Sequence, residues 1–177
     1  MNQATPPASL VARYRTVRLR SVELCAPLAI EDHVPQPIAD VSPPKWHLGH
    51  TTWFFETMLL EAFVSGYRTF HPRYGFVFNS YYESQGARVV RADRGGLSRP
   101  TVAEVHTYRA HVDAAMAELL ATPLAPAVAA LVELGLQHEQ QHQELLLTDL
   151  KYILAVNPLA PSYAGAATAA VEVPAEH

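Results

Sequence analysis

The stretch between two groups of prolines near the C-terminal end decides most of what this chain can become. Pro123 and Pro126 precede it, Asn157-Pro158 stops it, and nothing between Ala127 and Val156 interrupts a helix. Thirty residues in one helix reach ~45 Å. A helix that long has to lie along other long helices to bury its apolar side. Three further segments meet that need. Ala8 to Ala26 carries Leu10, Val11, Tyr14, Val17, Val22 and Leu24 at helical spacing and ends at Pro27. Lys45 to Val64 is opened by Ser42 and two prolines and closed by Gly66. A third helix follows Pro100, where Thr101 and Glu104 have the spacing of a capping box, and runs to about Ala121.

The connections differ in length. Residues 31–44 hold four prolines and no periodicity, which reads as a loop. Residues 66–99 are rich in Gly, Arg, Tyr, Ser and Asn. A connection this long inside a compact domain is usually functional or mobile. No strand-like alternation or internal repeat is present. The expectation is an all-α four-helix bundle over residues 1–163, with a long crossover loop between helices 2 and 3. The alanine-rich residues 164–177 have little to bury and are expected to form a disordered tail.

Composition narrows the function. A net charge of −4 offers no broad basic surface, so nucleic acid is not an expected partner. No apolar run reaches the ~18 residues that cross a bilayer, so no membrane association is expected. The first residues, MNQATPPASLVARYRT, lack the charged start and apolar core of a signal peptide, and a cytoplasmic location is the default. Cys25 is the single cysteine, which excludes an internal disulfide, and its leucine neighbours predict a buried thiol.

Nine histidines are unusual in 177 residues, so what matters is which of them converge. His138 and His142 lie four apart on the long helix, a turn of about 40° with ~6 Å of rise, so both imidazoles leave one face. They fall on the row Leu131, Leu134, His138, His142, Leu145, Asp149 and Ile153, which is expected to face the bundle interior. Two adjacent buried imidazoles need partners, and one metal ion satisfies both. A pair of hydrogen-bonded core histidines is the alternative. A third ligand has to come from another helix, and the second helix offers His47 and His50. His50 shares a row with Trp46, Trp53, Thr57 and Leu60 and also lies on the competing row His47, Phe54 and Met58. It is therefore the expected ligand, with His47 behind the ligands or at the surface. Gly49 beside it permits close approach by a neighbouring element. His33, His71, His106, His111 and His177 show no such convergence. Three neutral imidazoles leave a divalent ion with open positions for water, oxygen or thiolate, and spacing does not choose among zinc, iron and copper.

His138-Glu139-Gln140-Gln141-His142 also fits H-E-x-x-H, in which the glutamate would be the general base of a zinc protease. No strand-rich half or further ligand motif accompanies it, so exchange of Glu139 for Gln is expected to spare the metal. Residues 81–99 are aromatic and arginine-rich; if they fold over the metal, Arg88 and Arg91 could hold a small anion, the alternative being a solvated loop.

The segments WHLGHTTWFFE, FHPRYGFVFNSYY, RGGLSRPTVAEV and LGLQHEQQHQELLLTDLKYIL together resemble the N-terminal, DinB-like domain of the ergothioneine-biosynthesis sulfoxide synthases, over roughly residues 10–163. The resemblance implies a DinB-like four-helix fold with iron(II) held by His50, His138 and His142. It implies a reaction in which γ-glutamylcysteine or cysteine is joined to C2 of the hercynine imidazole, with dioxygen as oxidant. Gln141 would help place that imidazole, and Arg88 and Arg91, spaced by three, would grip the thiol substrate's carboxylate. Glu144 reads as a non-ligand. The resemblance also implies a second domain similar to formylglycine-generating enzyme, carrying the catalytic tyrosine. No residue here matches that domain, so a separate polypeptide is a possible partner. A stand-alone metal-dependent thiol transferase and a non-catalytic metal-binding fragment are the alternatives.

Overall fold

The computed structural model describes residues 9–80 and 86–163. The expected tail over 164–177, residues 81–85 of the arginine-rich segment and the start of the first helix at Ala8 lie outside them. The described residues are helical, with no strand among them. Helix α1 spans Leu10–Cys25, with the Ser9 hydroxyl accepting from the Ala12 amide at its start. Helix α2 spans Pro44–Phe55 and continues through a π-helical turn, Glu56–Leu60, into α3, Glu61–Phe63. Helix α5 spans Val102–Leu120 and α6 spans Pro126–Ala155, with proline at the first position of α2 and α6. The Thr101–Glu104 capping box forms as expected. These four rods make the bundle, and no helix among the described residues is long and apolar enough to cross a membrane.

Two expectations need correction. The connection over 66–99 is not structureless: α4 (Tyr74–Phe78) and a 3-10 turn (Arg91–Gly96) lie within it, and another 3-10 turn, Ile30–His33, precedes α2. Glu56 anchors the first part of this crossover. Its buried carboxylate accepts from the hydroxyls of Tyr67 and Tyr108 and from the Phe70 amide. Glycines and arginines hid these short helices, because five residues carry too little periodicity to show.

The inward face of α6 is also rotated from the expected row around the histidines, although Asp149 and Ile153 of that row are buried. Leu134 and Leu145 are 55% and 42% exposed, whereas Val132, Leu136, Glu139, Leu146 and Leu150 are buried. The reason is a charged residue in the core. Glu139 is completely buried, and its carboxylate receives Arg18 from α1 at 2.9 Å, Arg109 from α5 at 2.9 Å and the Ser21 hydroxyl at 2.6 Å. Arg18 also bonds Asp113, which accepts from the Tyr14 hydroxyl. This network ties three helices together at mid-height. His138 and His142, which flank Glu139, therefore sit at the edge of the packed core and border a cavity.

Helix α2 is buried along all of Pro44–Phe55. Trp53, Phe54 and Phe55 form the centre of the core with Leu59, Tyr108, Met116 and Leu136. A helix covered on every side shows little amphipathicity, and the polar residues of α2 are buried with the rest: Lys45, His47, His50, Thr51 and Thr52. Cys25 is buried, as expected, and burial pushes its thiol up to about 12.

Candidate metal centre

His50, His138 and His142 come together from α2 and α6, each offering one ring nitrogen within 4.8 Å of the others. Helix geometry explains the α6 pair, and α2 lies against α6 along the bundle. The His50 ring is stacked on Trp46 (4.5 Å, 11°) and on Trp53 (5.6 Å, 17°), the residues one turn before and after it. Its Nδ1 lies 2.6 Å from the Phe78 carbonyl. A carbonyl only accepts, so Nδ1 carries the proton and Nε2 is left as a lone pair. That Nε2 stands 3.2 Å from Nε2 of His138. The donor set thus fits a divalent metal, with a fixed tautomer at His50 and three nitrogens facing a common point.

Burial, followed by the mutual proximity of the rings, pushes His50 and His142 well below the usual histidine range. Burial brings His138 to about 4. All three are neutral near pH 7, the protonation state a metal ligand requires.

Gly49 shows why this tautomer can be set. A β-carbon there would lie 2.1 Å from the Phe78 ring, so only glycine lets α4 approach closely enough for the Phe78 carbonyl to reach His50. Gly49→Ala is expected to cost about 1–3 kcal/mol in urea unfolding through overpacking and to weaken metal binding in the same protein. Unchanged values on both measurements would remove Phe78 from the account.

A cavity of about 300 Å³ lies over the three rings, a size suited to small ligands. Trp46, Arg91, Arg94 and Gln141 line it. Arg88 stands outside that lining. Arg91 donates to the Asp40 carbonyl. Arg94, which no motif in the sequence singles out, is buried, lies 3.4 Å over the Trp46 ring and donates to the hydroxyls of Ser42 and Ser80. Only the folded crossover reveals which arginine reaches the site.

His47 and Asp149 also belong here. His47 is buried, with Nδ1 2.9 Å from Nδ1 of His142 and Nε2 2.9 Å from Asp149 Oδ2. Of the two places expected for His47, behind the ligands or at the surface, it takes the first, behind His142. Asp149, seven residues after His142 on the same face, was a legible signal, since a carboxylate on a buried row needs a partner. Glu144 is exposed, in line with its reading as a non-ligand. Glu139, engaged by two arginines and a serine inside the core, is not available as a general base, which removes the protease reading.

An all-helical bundle with a three-histidine pocket between two of its helices defines a class of metal-site bundle. The chain belongs to the DinB superfamily, whose family profile matches residues 13–146. No curated protein matches it.

Proposed function

We propose that this bundle binds one iron(II) ion through His50, His138 and His142 and serves in the cytoplasm as the metal-binding half of a sulfoxide synthase. The reaction joins a thiol, γ-glutamylcysteine or cysteine, to C2 of hercynine. One thiol, one hercynine and one dioxygen give the sulfoxide and one water: the S–H and C2–H bonds break, the C–S and S–O bonds form, and dioxygen takes up four electrons. The observation that carries this reading is the convergence of three neutral imidazoles on one point beneath a small-molecule cavity. The four sequence segments described above supply the substrate class.

Iron(II) held there would supply a site for thiolate and the redox partner of dioxygen. The chain's own groups bind and orient. Gln141, on the cavity lining, is assigned the hercynine imidazole. Arg91, also on the lining, is assigned the thiol substrate's carboxylate, and Arg88, outside it, is not. Arg94 stiffens the wall by clamping Ser42, Ser80 and the Trp46 face together. A second domain, on the same or a separate polypeptide, would complete the pocket and provide the catalytic tyrosine.

Anaerobic iron(II) titration of the metal-free protein tests this. The expected result is one iron per chain, with a change in its absorption spectrum when thiol and hercynine are added. Stoichiometric zinc in the isolated protein, together with oxygen-independent thiol transfer, would replace this reading with a thiol transferase. Bound metal with no substrate response, even with the second domain supplied, would reduce it to a non-catalytic metal-binding fragment.

A further inference from the structure

We propose that Asp149 and His47 are positioning residues that hold His142 as its Nδ1–H tautomer and so present its Nε2 lone pair to the metal. The metal clause rests on the function proposed above; the tautomer chain exists in the metal-free protein and can be tested without it.

The proton assignment follows from what each group can do. Asp149 Oδ2 lies 2.9 Å from His47 Nε2 and 2.9 Å from the Ser42 amide nitrogen. A carboxylate only accepts, so His47 carries its proton on Nε2. A neutral imidazole has one ring proton, which leaves His47 Nδ1 as an acceptor. The nitrogen it meets at 2.9 Å, His142 Nδ1, must then be the donor. His142 is left with an unprotonated Nε2. The reverse arrangement requires an imidazolium at His47, packed beside His142 with the Arg94 guanidinium nearby, and it would leave the proton of His142 on Nε2, closing that nitrogen to a metal. The fold also explains why the chain of bonds is held. His142 and Asp149 are two turns apart on α6, His47 enters between them from α2, and Ser42 pins the carboxylate from the segment just before α2.

The centre therefore fixes its ligands by two routes. His50 is set by a backbone carbonyl, and His142 by a side-chain relay ending in a negative charge. A carboxylate behind a ligating histidine orients the ring and raises its basicity, and loss of such a partner typically weakens metal binding 10- to 100-fold. With three neutral ligands, Asp149 is a nearby negative charge that offsets part of the metal's.

The test uses the full chain in two arms. The metal-free protein, labelled with nitrogen-15 in its histidines, is expected to show His47 protonated at Nε2 and His142 at Nδ1 in long-range proton–nitrogen spectra. His142 protonated at Nε2 would overturn the proposal. In the second arm, iron(II) alone is titrated anaerobically. His47→Phe, which removes the acceptor, is expected to bind it about 10- to 100-fold more weakly, whereas His47→Asn, whose amide oxygen can take the place of Nδ1, recovers most of the loss. Equal affinity in folded His47→Phe and wild-type protein would also overturn it. A His47→Phe protein that does not fold leaves the spectra of the unaltered chain to decide. Wild-type protein that binds no iron would sink the metal reading while the tautomer spectra still judge the relay.

Discussion

Glu139→Ala is expected to lower the unfolding free energy by roughly 3–5 kcal/mol, because it leaves two buried guanidinium groups without their shared counter-charge. For a chain of this length that is a fall on the order of 10 °C in melting temperature. The carboxylate is completely buried and joins α1, α5 and α6 through Arg18, Arg109 and Ser21, so its loss removes the contact that three helices share. Burial alone would raise its pKa; Arg18 and Arg109, with the Ser21 hydroxyl, outweigh burial and hold the carboxyl at about 2. An ordinary glutamate in the unfolded chain titrates at about 4.3. The folded value is the lower one, so this stabilisation is present above the unfolded value and is lost as pH falls from there toward 2. Urea unfolding at pH 7, 4 and 3 should show the gap between wild-type and Glu139→Ala protein shrinking with acid. A gap that stayed constant, or a difference below 1 kcal/mol at neutral pH, would mean that the network contributes little. Glu139→Gln keeps the shape but places an amide against two cations. A loss of activity in that variant must therefore be read beside its melting temperature, and the exchange spares the metal only where the fold survives it.

This residue also marks where the sequence stopped being legible. Prolines, a capping box and apolar spacing placed the four long helices to within a residue or two, because those signals are local. His138 and His142 were readable for the same reason: four residues on one helix fix their relation to each other. His50 could be singled out because it lies on both candidate rows of its helix, and the structure stacks Trp46 and Trp53 of one row on its ring. What one row could not reveal was the rotation of α6. A glutamate looks like a surface residue until two arginines from other helices are known to meet it, so the inward face was placed one position off. The crossover was opaque for a different reason. Which of Arg88, Arg91 and Arg94 faces the cavity depends on α4 and the following 3-10 turn, and their placement depends on long-range contacts such as Glu56 with Tyr67 and Tyr108.

Metal is expected to separate two properties that most core substitutions change together. At free iron(II) a thousandfold above its dissociation constant, binding adds about 4 kcal/mol to the folded state, a rise on the order of 10 °C in melting temperature. His138→Ala removes one of three ligands and is expected to abolish that rise. The same substitution should cost the metal-free protein little, within about 1 kcal/mol. His138 sits at the core edge, partly buried and bordering the cavity, where its Nε2 meets His50 Nε2 at 3.2 Å. Val132→Ala, in the packed core of the same helix, should do the reverse: destabilise the metal-free bundle while leaving the rise on iron addition intact. Anaerobic thermal scans with and without iron(II) read both quantities in one experiment. If His138→Ala kept the full iron-dependent rise, the ion would be bound elsewhere and the three imidazoles would be core histidines that happen to meet.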